Sequence, residues 1–269
     1  MPVKKYVMNL SLHNRTAVIS GGSRGIGFAT AKELSLLGAN CILLARTADA
    51  LQAAIEDLDT TQQQRHAYYA VDATDSDALK KIAEEIAQEY AVDIVINNSG
   101  GPAGGPLLDS KSEAFTNTFQ QHVVAAHTLA QVFIPGMRER GYGRIIQIIS
   151  TSVKTPLHNL GVSNTIRAAM AGWSKTLANE VAQLGITVNN ILPGATLTER
   201  LSGLIEKQAA AQNRPIHEIE EEWKSSIPVK RFGLPEEIAS VAAFLATPAA
   251  AYVNGVSIAV DGGRTPTLS

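Results

Sequence analysis

The strongest constraint on this chain is a rhythm. Short uninterrupted runs of Val, Ile, Leu and Ala alternate with stretches of helical length and pattern from Thr16 to Val260. Thr16–Ser20, Asn40–Ala45, His66–Val71, Val92–Ile96, Arg144–Ile149, Thr187–Leu192 and Val256–Val260 read as strands. Ile26–Leu37, Asp49–Asp59, Ser76–Tyr90, Ser112–Arg140, Thr165–Leu184 and Leu234–Ala246 read as helices, with Gly38 ending the first and Asp75 or Ser76 capping the third. A strand that is apolar at successive positions has no solvent face, which is the pattern of a parallel sheet covered by helices on both sides. Regular β-α-β order makes each crossover right-handed. The expectation is an α/β fold with one doubly wound parallel sheet.

No shift in composition marks a linker, so residues 1–269 read as one domain. Residues 198–227 alone break the rhythm. They are polar and helix-prone (Glu206, Lys207, Glu218, Glu220, Glu221, Glu222) and sit after a strand, where insertions cover ligand clefts. This segment is expected to be a substrate lid, the alternative being a solvated insertion. Lys plus Arg number 23 and Asp plus Glu 25, a net charge of −2 that supplies no field for nucleic acid or an anionic membrane. No apolar run has the length of a membrane span, and Met1–Leu12 lacks the apolar core of a signal segment. The single Cys41 excludes a disulfide framework and a Cys-based metal site, and fits a reducing cytoplasm. The partner is therefore expected to be a small molecule, with neither nucleic acid nor membrane involved.

The segment Ser20-Gly21-Gly22-Ser23-Arg24-Gly25-Ile26-Gly27 follows the first strand and opens the first helix. Gly21 suits a turn, Gly25 a close approach of backbone to a pyrophosphate, and Gly27 tight packing of helix on sheet. The helix start offers free N–H groups and a positive dipole end. This is the context in which a glycine loop binds a dinucleotide, and it makes the fold a Rossmann-type one. The second strand ends in Arg46, where an acidic residue would bind the ribose 2′-hydroxyl of NAD. An arginine there suits a 2′-phosphate, with Arg24 able to assist, so NADP(H) is preferred and NAD(H) stays open because Asp49 is near. Asp72 follows the third strand and reads as an adenine contact or as a turn residue.

With these residues in view, the chain resembles the short-chain dehydrogenase/reductase family from about Leu12 to Gly263, nearest the 3-oxoacyl-(acyl carrier protein) reductase branch. The likeness rests on the glycine loop, on Asn97-Asn98-Ser99-Gly100, close to the family's Asn-Asn-Ala-Gly, on Pro193-Gly194 with Thr198, and on Val260-Asp261-Gly262-Gly263. The resemblance implies that Asn98 and Gly100 line the adenosine side of the cofactor and that Pro193, Gly194 and Thr198 border the nicotinamide. It also implies a homotetramer, through a four-helix contact and the C-terminal strand, and a carbonyl or acyl-thioester substrate.

The catalytic pattern departs from the family. Its Tyr falls on Ser163, its Lys on Arg167, its helix Asn on His122 and its Ser on Ser150, with Thr151 and Ser152 as rivals for the last. No Tyr lies between Tyr142 and Tyr252. A Tyr beside a Lys can give up a proton, whereas a Ser hydroxyl is far less acidic. Arg167 stays charged and can hold ribose hydroxyls or a carboxylate, but it shuttles no proton. His122 and His158 have the right chemistry for a donor, although a lone His is more often packed or solvated. Three functions follow. The first is an NADP(H)-dependent reductase with a rebuilt acid–base set. The second is a cofactor-binding sensor, scaffold or inactive subunit. The third is a lyase or isomerase using Arg167 and His122. Trp173, Trp223 and Cys41 read as packing residues, and Gly101–Pro106 reads as the border of the site.

Overall fold

The computed structural model describes residues 8–267. Seven strands form one parallel sheet in the order β3-β2-β1-β4-β5-β6-β7. They are β1 (Thr16–Ser20), β2 (Asn40–Ala45), β3 (Ala67–Ala70), β4 (Val92–Asn98), β5 (Gly143–Ile148), β6 (Ile186–Pro193) and β7 (Ser257–Val260). The order reverses between β1 and β4. Their diverging crossovers leave a crevice at the carboxyl ends of the strands, where open α/β sheets bind ligands.

The sheet is buried from both sides because each central strand sends successive side chains to opposite faces. Ala17, Ile19, Cys41, Leu43, Ile94 and Ile96 pack with helices α1 (Gly25–Leu36), α2 (Ala48–Glu56) and α9 (Pro235–Ala246). Val18, Ile42, Leu44, Val95, Ile145 and Val188 pack with α3 (Ser76–Glu89), α5 (Ala125–Arg140) and α6 (Gly161–Val181). Burial pushes the Cys41 thiol pKa up, so this cysteine is a small inert core residue. At the opposite end from the crevice, the buried Asp93 accepts hydrogen bonds from the Thr16 amide, Arg15 and Arg140, which ties β4 to β1.

Three differences from the sequence expectation matter for the site. The predicted helix 112–140 is unbroken but not α throughout. It runs as α4 (Ser112–Phe119), a π turn over Gln120–Val124 and then α5. The helix carrying Ser163 starts at Gly161 rather than Thr165, so Ser163 lies in its first turn. Residues 198–227 fold as two helices, α7 (Glu199–Gln212) and α8 (Ile216–Ser225), closed on a small core of Leu201, Ile205, Ala209, Ile219, Ile227 and Phe232. That apolar set is spaced at helical intervals among charged residues, which is why composition alone made the segment look solvated.

Gly185, which ends the turn before β6, has φ +77°, and a Cβ there would lie 2.3 Å from the Gly141 carbonyl oxygen. Replacing it with Ala combines an unfavourable backbone region with a clash against backbone. The expected loss is about 2–4 kcal/mol. A urea titration should show a lower midpoint at unchanged slope; a loss below about 0.5 kcal/mol would contradict the packing described.

Candidate active site

The glycine loop is shaped by contacts that admit no side chain. Gly21 has φ +61°, and a Cβ on it would lie 2.6 Å from the Asn98 carbonyl oxygen. A Cβ on Gly27 would meet the Gly21 carbonyl oxygen at 2.2 Å. Asn98 Nδ2 donates to that same Gly21 oxygen at 3.4 Å. The end of β4 is thereby locked against the turn into α1. Gly25 is different: its Cβ position is open except for the Thr198 methyl at 3.5 Å. No side chain caps the start of α1 and no acid occupies its first turn, so the amides there remain available to a phosphate.

The other cofactor candidates gather around the same crevice. Ser23 and Ile26 lie in the loop and the first turn of α1. Exposed Arg46 follows β2 and lies close enough to Asp72 to help hold that carboxyl below its ordinary range, although the larger cause is hydrogen bonding from Thr74. Asp72 accepts from the Thr74 amide at 2.9 Å and from its hydroxyl at 2.8 Å, which makes it a turn residue here. Arg24 pairs with Glu199 at 2.5 Å, both exposed, so the loop is bridged to the start of α7. Pro193 ends β6, and Gly194 follows it with its Cβ position filled by Asp261. Thr198 caps α7, its hydroxyl accepting from the Leu201 amide.

The four catalytic candidates come from three elements. Ser163 and Arg167 are one turn apart on α6 and both are buried. Arg167 donates from Nη1 to the Ile148 carbonyl at 3.0 Å and from Nη2 to the Ser99 carbonyl at 3.3 Å. It thus clips together the carboxyl ends of β4 and β5. Burial, with Arg200 nearby, lowers its pKa to about 9, and the guanidinium keeps its charge at neutral pH. Ser150 follows β5 by two residues and caps a short turn, accepting from the Ser152 amide at 3.1 Å. Its rivals Thr151 and Ser152 are buried, while Ser150 is partly exposed. His158 stands exposed on the loop before α6. Tyr142 cannot stand in for the missing Tyr: its hydroxyl donates to the Ala246 carbonyl and its ring lies between Arg15 and Arg144.

His122 sits in the π turn, buried, with Nδ1 2.6 Å from the Ser99 hydroxyl. A π turn within a helix commonly marks a functional position. Burial and the charges of Arg167 and Arg200 lower its pKa to about 2, against a weaker opposing hydrogen bond to the Gly100 backbone. The imidazole is neutral at physiological pH. Ser99 and His122 are both departures from the family pattern, Ser for Ala and His for Asn, and they touch each other. Their contact was not legible in the sequence, because the partner lies on another element 23 residues away.

Behind them lies a cavity of about 20 Å³ bordered by Asn97, Ser99, His122, Gln147 and Arg167. Asn97 Nδ2 and Gln147 Nε2 are buried there without a protein acceptor. A cavity of that size takes one water, which could accept from both amides. Gln147 and Asn97 escaped the sequence reading because polar side chains inside an apolar strand carry no motif. Among the described residues, no group of three or more His, Cys, Asp or Glu could hold a metal ion, and no helix is long and apolar enough to cross a membrane.

His122 gives a pH prediction. Below pH 6.5 the unfolded chain protonates this group and the folded chain does not, so folding stability falls as pH drops. His122→Gln removes that one dependence. Wild-type stability relative to the variant should therefore decline by up to about 1.4 kcal/mol per pH unit below pH 6. Parallel stability curves in urea titrations from pH 7 to 4.5 would show that His122 is not held neutral.

Comparison with known proteins agrees with this architecture. Residues 21–265 match the family model described as enoyl-(acyl carrier protein) reductase. The 3-oxoacyl-(acyl-carrier-protein) reductase FabG of Vibrio cholerae is 31% identical over 257 residues, covering 94% of this chain and 98% of the relative. A 2,3-dihydroxy-2,3-dihydro-p-cumate dehydrogenase of Pseudomonas putida is 32% identical over 257 residues, covering 95% and 96%. Among solved structures, L-sorbose reductase from Gluconobacter frateurii, complexed with NADPH and L-sorbose, superposes with a TM-score of 0.91 at 32% identity, covering 97% of this chain and 100% of that one. YwfH, an NADPH-dependent reductase involved in bacilysin biosynthesis, gives 0.90 at 31%, covering 95% and 100%. With the glycine loop, the sheet order and these full-length matches together, the chain belongs to the short-chain dehydrogenase/reductase family.

Proposed function

We propose that this chain is an NADP(H)-dependent reductase that converts the carbonyl of a small molecule to an alcohol with a non-standard acid–base set. The observation that carries it is a glycine cradle with uncapped amides beside a buried, charged Arg167 clipped to the strand that leads into Ser150. NADPH-binding reductases among the structural relatives support the choice of cofactor. Arg46 supports it as well, since its exposed guanidinium suits a 2′-phosphate.

When bound, NADPH supplies the hydride. The chain's own work is to hold the carbonyl and manage the charge that develops on its oxygen. Ser150 and Ser163 donate hydrogen bonds to that oxygen. Arg167 provides a fixed positive charge in a site of low polarity, where charge stabilisation is strongest. His122 is neutral and bonded to Ser99, so it takes up a proton from solvent water only as it passes one to the Ser99 hydroxyl, and the alkoxide oxygen is neutralised by a proton that water ultimately supplies. His158 on the exposed loop is the alternative donor. Without the family's Tyr, a cost of about 10²–10⁴-fold in rate is expected, which makes this a slow or narrowly specialised enzyme. Helices α7 and α8 serve as the substrate lid. We place the chain in the cytoplasm as a homotetramer joined through α5 and α6; a monomer by light scattering would remove the tetramer. A 3-oxoacyl substrate follows the relatives' chemistry.

One observation favours a second reading, a cofactor-binding protein without turnover. Arg167 commits both its terminal nitrogens to backbone carbonyls. It still has three further N–H groups, enough for a ligand. Titration with NADPH followed by a turnover screen over carbonyl compounds separates the two. Tight NADPH binding with no oxidation above background on any substrate would leave only the second.

Two substitutions test the parts. Arg46→Ala should raise the KM for NADPH about 10- to 100-fold, the worth of charge-assisted hydrogen bonds, and leave that for NADH unchanged. Ser163→Ala should lower kcat about 10²-fold with NADPH affinity intact. A Ser163→Ala enzyme of normal turnover would remove Ser163 from the site.

A further inference from the structure

Arg200, the second residue of α7, is a cation that the cofactor and carbonyl chemistry do not use. Its Nη1 donates to the Gly101 carbonyl at 2.7 Å. The guanidinium lies flat on that glycine: a Cβ at Gly101 would fall 2.5 Å from Nη2 and 2.8 Å from Cζ. The loop beneath it leaves β4 through Ser99 and runs along the segment that opens α6. The Gly105 amide donates to the Asn159 carbonyl at 2.7 Å, and Gly105 bridges Leu160, three residues before Ser163. Arg200 is thus held over the strip joining Ser99 to the helix of Ser163 and Arg167.

The charge balance at this place is lopsided. Arg200 is exposed at the mouth of the crevice, partly shielded by the loop it rests on, and its charge reaches both His122 and Arg167. Among the described residues, neither arginine has a carboxylate within ion-pair distance. The adjacent acid, Glu199, is taken by Arg24. Two guanidinium groups without counter-ions, one spending a single donor of five on Gly101, form a site that lacks an anion. We propose that Arg200 binds the carboxylate of the substrate, so that this reductase acts on small oxo acids. This deepens the function proposed above and rests on it for the reducible carbonyl. The other source of an anion is the cofactor's own pyrophosphate, since Thr198 beside Arg200 faces the glycine loop.

The test uses full-length protein saturated with NADP+, a panel of 2-, 3- and 4-oxo acids, and the methyl ester of each, with binding followed by calorimetry. At least one oxo acid should bind ten or more times tighter than its ester. Arg200→Met should abolish that preference by weakening the acid alone, with the dissociation constant for NADPH changed less than twofold. Gly101→Ala displaces only the end of a flexible side chain and should weaken the same acid without lowering the melting temperature. Equal binding of acid and ester by the wild type, a preference that survives Arg200→Met, or weakened NADPH binding in that variant with acid binding intact would each overturn the proposal; the last would assign Arg200 to the pyrophosphate. Acid binding through Arg200 with no NADPH oxidation on any substrate would instead overturn the reductase function and leave the anion site standing.

Discussion

A buried positive charge without a carboxylate partner organises this site. Desolvating a guanidinium costs several kcal/mol unless other groups take over from water. Here the carbonyls of Ile148 and Ser99 do so, and both are strand-end groups whose ladder partners have run out. Arg167 can be charged and buried only because β4 and β5 end side by side at the crevice. In return the cation fixes those ends. Burial first, and this field second, keep His122 neutral, and its imidazole pairs with the Ser99 hydroxyl.

The fold was legible because it depends on short-range pattern. Continuous apolar runs reported strands buried on two faces, and Gly38 reported the end of α1 through its positive φ. The departures occurred where a decision is tertiary. A π turn at Gln120–Val124 inserts within a run whose local pattern is uniformly helical. The early start of α6 at Gly161 depends on Leu107, which packs where a Cβ on that glycine would lie. Helices α7 and α8 form because they face each other, a contact no periodicity within one segment displays.

The site divides the same way. Gly21, Gly25 and Gly27 could be read from spacing, since each answers to a backbone approach of known kind. Ser163 and Arg167 came as a pair from the resemblance alone, at the positions of the family's Tyr and Lys. The Ser99–His122 contact, the clip from Arg167 to two strand ends and the placement of Arg200 on Gly101 could not, for each joins elements far apart in the chain. Yet two of the three involve a residue that departs from the family pattern. Under the resemblance, Ser99, His122 and Arg167 depart from the family pattern and meet in one place rather than at unrelated positions.

That distinction bears on what the missing Tyr means. Removing a general acid alone would leave the surrounding machinery aimed at a proton that no longer arrives. Instead, in the arrangement proposed above, Arg167 keeps its charge at neutral pH and His122 is held neutral, mainly by burial. Under that proposal Arg167 brings a fixed positive charge to the reacting oxygen, while His122 brings none. A second arginine, exposed and resting on Gly101, extends the same field to the mouth of the site. A substrate matched to such a site gains by bringing negative charge of its own, or by developing it in the transition state, where preorganised charge acts without reorganising.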